Sequence, residues 1–191
     1  MAYYLAKFFL WLLGWKITSD FPKDKIKKCV FIVAPHTSYY DFIIGKLAFY
    51  FLKVETKIFI KKDLFKFPLG PILRSLGGVP VDRSRVRNII SQAVEMYNKY
   101  DTFYLTITPE GTRKYNANWK HGFYHIAQEA HVPIYFCFID FKHKRGGIGP
   151  ELKITGDIKK DFEVINEYYK KIGARHPEKF NLTPKPHEQQ Y

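Results

Sequence analysis

Cys29-Val30-Phe31-Ile32-Val33-Ala34 runs into Pro35-His36-Thr37-Ser38 and then into Tyr39-Tyr40-Asp41-Phe42. The first six residues are an apolar run of β-type residues and read as a short strand. The Pro-His-Thr-Ser turn ends that run. Tyr39–Leu52 beyond it is apolar on nearly every side, the pattern of a helix that is buried or touches lipid. The stretch also poses a question about chemistry. His36 and Asp41 stand five positions apart around the turn and could form a catalytic pair. Equally, Ser38-x-x-Asp41 ahead of an apolar run fits a helix start, in which hydroxyl and carboxylate satisfy free backbone N–H groups. Taken by itself, the local pattern favours the cap.

Outward from this stretch, strands and helices alternate. Lys57–Ile60 reads as a second strand and Pro68–Leu76 as a short helix, closed by Gly77-Gly78 before a brief strand, Val79–Val81. In Ser84–Tyr100, Val86, Ile89, Ile90, Ala93, Val94 and Tyr97 keep helical period along one face. Phe103–Thr108 reads as a strand ending at Pro109, Gly122–His131 as a helix, and Pro133–Ile139 as the strongest strand. Gly146-Gly147-Ile148-Gly149-Pro150 reads as a turn, with Leu152–Thr155 as a strand after it and Ile158–Ile172 as a last amphipathic helix. This alternation predicts an α/β fold, a mixed central sheet flanked by helices. Ligands in such sheets collect beyond the carboxyl ends of the strands. Three loops qualify: Pro35–Ser38, Asp82–Arg85 and Pro109–Arg113.

The 191 residues suit one principal domain with a sizeable core. A hydrophobic fraction of 46% and an aromatic fraction of 18% exclude disorder for most of the chain. Thirty-one Lys and Arg against 18 Asp and Glu give a net charge of +13, which speaks for nucleic acid, an anionic membrane or anionic substrates. Cys29 and Cys137 each sit in an apolar run and read as buried free thiols of a reducing compartment. No Cys or His spacing points to a structural metal. His121 and His125 share the i, i+4 spacing of zinc ligands, without the H-E-x-x-H pattern or a third ligand.

Tyr3–Trp15 (YYLAKFFLWLLGW) is apolar and aromatic. As a helix its length is roughly 20 Å, short of the roughly 30 Å hydrocarbon core of a bilayer. Its aromatics, and the lysines at 23, 25, 27 and 28, suit an interfacial helix lying among lipid headgroups. The alternative is a core helix docked on the domain. The organisation expected is a membrane-associating helix over residues 1–20, a catalytic domain over 21–173 and a polar tail over 174–191 that frays.

The blocks themselves resemble a known family. His36-Thr37-Ser38-Tyr39-Tyr40-Asp41 resembles the H-x-x-x-x-D motif of the glycerolipid acyltransferases, the superfamily of lysophosphatidic acid and glycerol-3-phosphate acyltransferases. Thr108-Pro109-Glu110-Gly111-Thr112-Arg113 is similar to its F-P-E-G-T-R block, with Thr in place of Phe. Gly77–Arg83 resembles the G-x-x-F-x-x-R block, with Pro80 at the aromatic position, and Val132-Pro133-Ile134 the entry to the fourth block. The four stand in the family's order over about Val30 to Ile139. Pro35 stands where many members have Asn, so acceptor preference does not carry over.

The resemblance implies transfer of a fatty acyl group from a thioester, acyl-CoA or acyl carrier protein, to a hydroxyl of a lysophospholipid such as lysophosphatidic acid. His36 would be the general base and Asp41 would orient it. Arg83 and Arg113 would bind an acceptor phosphate, with Glu110, Gly111 and Thr112 completing the substrate site. No cofactor and no metal are implied, and the partners expected are membrane lipids and the donor rather than nucleic acid. The location expected is peripheral or monotopic on the cytoplasmic face of the cell membrane. Acceptors without a phosphatidate core, such as a lyso-aminolipid, would use the same groups. From other classes, a basic nucleic-acid-binding module accounts for the charge and the aromatics but not for the four ordered blocks. A lipid-binding protein without turnover would have no need of both His36 and Asp41.

Overall fold

The computed structural model of the chain describes residues 1–82, 84 and 86–182. At its centre lies β2, Lys28–Ala34, paired in parallel with β5, Phe103–Ile107, on one side and with β6, Ile134–Asp140, on the other. Its side chains alternate between two apolar layers. Val30, Ile32 and Ala34 join one core, and Cys29, Phe31 and Val33 the other. Burial on both faces is why this strand is a continuous apolar run.

Among the described residues, seven strands make one sheet in the order β1-β7-β6-β2-β5-β3-β4, where β1 is Lys16–Ser19, β3 Thr56–Lys61, β4 Gly78–Val81 and β7 Arg145–Leu152. All neighbours are parallel except β6 and β7, so β1 and β7 run against the rest. One face is covered by α4 (Val86–Lys99), α5 (Gly122–Glu129) and α6 (Ile158–Tyr169), which contribute Ala93, Tyr97, Phe123, Ile126, Phe162 and Ile165 to the core. The other face is covered by α2, Tyr39–Phe51, through Ile44 and Phe49. The mixed sheet flanked by helices agrees with the α/β expectation, and most elements begin and end within three residues of the sequence reading.

The exceptions are informative. Gly146–Pro150 is not a turn but the middle of β7. Tyr135 pairs with Glu151 and Cys137 with Ile148, so Gly149 and Pro150 share one place opposite Phe136. A bulge of this kind admits a proline into a sheet. The strand expected at Leu152–Thr155 therefore ends at Leu152 instead of beginning there. β1 has only four residues, mostly exposed, and no apolar run to announce it. Pro80 is tolerated because β4 lies at the edge of the sheet.

α1, Ala2–Leu12, buries Ala6 and Leu10 and packs along α2. Its broader side is exposed, with Trp11 at 74% and Tyr4, Leu5, Phe8 and Leu12 also open. A second exposed apolar group lies on the segment after β3: Leu64, Phe67, Leu69 and Ile72, the last two on α3 (Leu69–Ser75). No helix among the described residues is long and apolar enough to cross a membrane.

Candidate active site

His36 follows the end of β2 and Glu110 the end of β5, so the parallel pairing of these strands brings the two loops together at the carboxyl ends of the strands. Asp41 lies in the first turn of α2, 3% exposed. Its Oδ2 accepts the backbone N–H groups of Thr37 at 2.6 Å and Ser38 at 2.7 Å, while Oδ1 accepts the Ser38 hydroxyl at 2.7 Å. The same Oδ2 lies 3.4 Å from His36 Nδ1. The carboxylate is thus both the capping group of the helix and the partner of the imidazole. Burial alone would raise its pKa. Hydrogen bonds from His36 and Ser38, with the imidazole's charge, outweigh that and hold it below the ordinary carboxylate value. With Nδ1 turned to Asp41, Nε2 is the ring nitrogen left for a substrate.

Glu110 occupies a different place from the one expected of a substrate ligand. It is 5% exposed, behind the histidine loop, and its Oε1 accepts the backbone N–H of His36 at 3.0 Å. Its Oε2 is buried without a hydrogen-bond partner among the described residues. Burial, offset in part by the His36 bond and reinforced by the Asp41 charge, pushes its pKa up to about 8. The side chain is therefore mostly a neutral acid near pH 7. Asn116, which the sequence does not single out, donates to the Glu110 carbonyl at 2.8 Å and ties down the loop.

Gly111, with φ of +68°, sits in the left-handed region, and a Cβ there would stand 2.9 Å from Lys120 Cε. It lines, with His36, Thr37, Ser38, Thr112 and Arg113, a cleft of about 870 Å³. The Arg113 guanidinium lies 3.7 Å from the centre of the Tyr39 ring. Asp82 and Ser84 are not among the residues that line this cleft, and Arg83 and Arg85 lie outside the described residues. His121 packs on Phe162 with ring centres 4.7 Å apart, and among the described residues no three His, Cys, Asp or Glu gather as metal ligands.

The cleft also has a wall that the sequence reading placed in a fraying tail. Residues 173–182 are tied down at three points. Gly173 N–H donates to Asp140 Oδ1 at 3.1 Å, His176 N–H to Thr37 Oγ1 at 3.2 Å, and the Trp119 indole N–H to the Asn181 carbonyl at 2.9 Å. Phe180 and Leu182 pack on the core. Arg175, His176 and Lys179 consequently line the same cleft as Arg113. Residues 183–191 lie outside the described part of the chain.

The acyltransferase family model matches residues 17–140, which takes in His36, Asp41 and Glu110–Arg113. In fold the chain is similar to the crystal structure of the 1-acyl-sn-glycerophosphate (LPA) acyltransferase PlsC from Thermotoga maritima, with a TM-score of 0.56 and 17% identity over 91% of this chain and 80% of that one. A sequence comparison with curated proteins gives no match.

Proposed function

The chain belongs to the acyltransferase family, and from that premise we propose that it moves a fatty acyl group from a thioester to a hydroxyl of a lysophospholipid such as lysophosphatidic acid. The donor is acyl-CoA or acyl carrier protein. The observation that carries this reading is His36 in the wall of a large cleft with its Nδ1 facing the buried Asp41 carboxylate.

The acceptor hydroxyl gives its proton to His36 Nε2 as its oxygen attacks the thioester carbonyl carbon. A tetrahedral intermediate forms, the C–S bond breaks, and the imidazolium returns the proton to the departing thiolate. Asp41 keeps the ring in the required tautomer and favours the imidazolium by the logic of the serine-hydrolase triad. Direct transfer is favoured over an acyl-enzyme because Cys29 and Cys137 are buried and burial pushes both thiols up, away from the thiolate. Arg113 would take an acceptor phosphate, since a guanidinium held over the Tyr39 ring still has N–H donors to offer an oxyanion.

Lipid acceptors and the long acyl chain call for a membrane surface. The exposed side of α1 and the +13 net charge support binding to the headgroup zone of an anionic bilayer, which we place on the cytoplasmic face of the cell membrane. The test is thiol release from acyl-CoA by purified protein on vesicles containing lysophosphatidic acid, with the product lipid identified by mass spectrometry. His36→Ala should lower turnover by roughly 10²–10⁴ without changing the melt. Full turnover in that variant, or none in the wild type with any lysolipid and either donor, would overturn the proposal.

A further inference from the structure

We propose that Arg175, on the C-terminal segment outside the family match, forms a second phosphate-binding pole of the cleft, so that the site holds two separate anionic groups at once. The proposal rests on the acyl-transfer reading for its biological meaning and on geometry for the pole itself.

Tyr39 and Tyr40 are successive residues at the start of α2, so their side chains diverge by about 100° around the helix. Each carries one arginine on its ring. Arg113 comes from the loop after β5, and Arg175, also at 3.7 Å from its ring centre, from the far end of the chain. Phe141 adds a second aromatic ring 5.6 Å from Arg175. A guanidinium stacked on aromatic faces is held in orientation while its in-plane N–H groups stay open, the arrangement that binds a phosphate through two parallel bonds.

Among the described residues no carboxylate makes a salt bridge with Arg113 or Arg175. The nearby Glu178 pairs instead with His176 at 3.5 Å, and Asp63 with Lys61 at 2.8 Å. Lys114, next to Arg113, and Lys179, four residues after Arg175, line the same cleft. The position of Arg175 is itself built, because Gly173 is fixed by Asp140 and His176 by Thr37, the residue next to His36. Two ring-stacked guanidinium forks, on successive tyrosines and in the same cleft as His36, fit a reaction in which both partners carry phosphate. A phosphorylated lysolipid does, and so does the pantetheine arm of either donor. The shared chemistry is phosphate, and kinetics can say which partner supplies it at each pole.

Three variants are needed: Arg175→Gln, Arg175→Lys and, for comparison, Arg113→Gln. Each is exposed, so melts should stay close to wild type. Inorganic pyrophosphate is titrated by calorimetry into the wild type and each variant, which reads the pole whether or not turnover is seen. Steady-state KM values for donor and acceptor are then measured separately on the same vesicles. Arg175→Gln should weaken pyrophosphate about tenfold and raise KM for one partner by a similar factor, with Arg175→Lys recovering part of the loss. A rise for the donor alone assigns the pole to the pantetheine phosphate, and a rise for the acceptor alone assigns it to the lipid headgroup. Unchanged pyrophosphate affinity in Arg175→Gln overturns the proposal, as does an unchanged KM for both partners. Absent turnover in the wild type refutes the acyl-transfer reading instead, and the calorimetry still decides the pole.

Discussion

Glu110→Gln isolates the group that the fold has made most unusual. Glutamine keeps the oxygen that accepts the His36 N–H and replaces the unpartnered Oε2 with an amide of nearly the same size. Below pH 5 wild type and variant both carry a neutral side chain here, and their stabilities should lie within about 1 kcal/mol of each other. As pH rises, the unfolded wild type releases the Glu110 proton near 4.5, whereas the folded protein holds it to about 8. A raised folded-state pKa means stability that is complete below 4.5 and lost by about 8. At 1.36 kcal/mol per pH unit the full interval corresponds to about 5 kcal/mol. The loss shrinks to about 2 kcal/mol where water reaches the ionised carboxylate. The variant should therefore become the more stable protein at pH 9 by about 2–5 kcal/mol. Asp41 does not interfere, because its pKa is lowered from 3.8 and its contribution is lost only at more acidic pH. Urea unfolding of both proteins at pH 5, 7 and 9 measures the difference directly, and other groups cancel between them. A difference that stays constant from pH 5 to 9 would refute the assignment of a proton to Glu110.

Two further perturbations probe the turn and the apolar helix. Ser38→Ala should cost about 1 kcal/mol in thermal or urea unfolding while keeping most acyl transfer. Asp41→Glu should lose both stability and activity, because one buried carboxylate serves two loop N–H groups and the imidazole, and an extra methylene displaces all three contacts. If Asp41→Glu kept normal turnover, the catalytic pairing would be wrong. Replacing Phe8 and Trp11 together with Glu should weaken sedimentation with anionic vesicles at least tenfold. Both rings are more than half exposed, so the melt should not change. Undiminished pelleting would show that α1 is not the membrane contact.

The opening stretch contained more of the answer than either of its readings alone. The cap and the pair looked like alternatives in sequence because both are carboxylate chemistry at the same spacing. In the structure Asp41 Oδ2 meets Thr37, Ser38 and His36 together, so the cap is what holds the acid beside the base. Glu110 shows the limit of motif reading. Its residue type and place in the chain were legible, but its burial, and hence its proton, depends on the elements packed around it.

By itself, the amino-acid sequence determined what periodicity and local turn chemistry can specify. It settled the apolar strand at Cys29–Ala34, the amphipathic helices, and the loops bearing His36 and Glu110–Arg113 at strand ends. Each of these follows from neighbours within a few residues. Only the tertiary structure decided the rest. Lys16–Ser19 is a strand because β7, far along the chain, offers it hydrogen bonds. Gly146–Pro150 extends because a bulge beside β6 absorbs its proline. Arg175 enters the cleft because Asp140, Thr37 and Trp119 hold its segment from three separate stretches of the chain. Backbone pairing and cation–aromatic stacking between distant residues leave no period in the local sequence, so only the folded chain could bring those groups together.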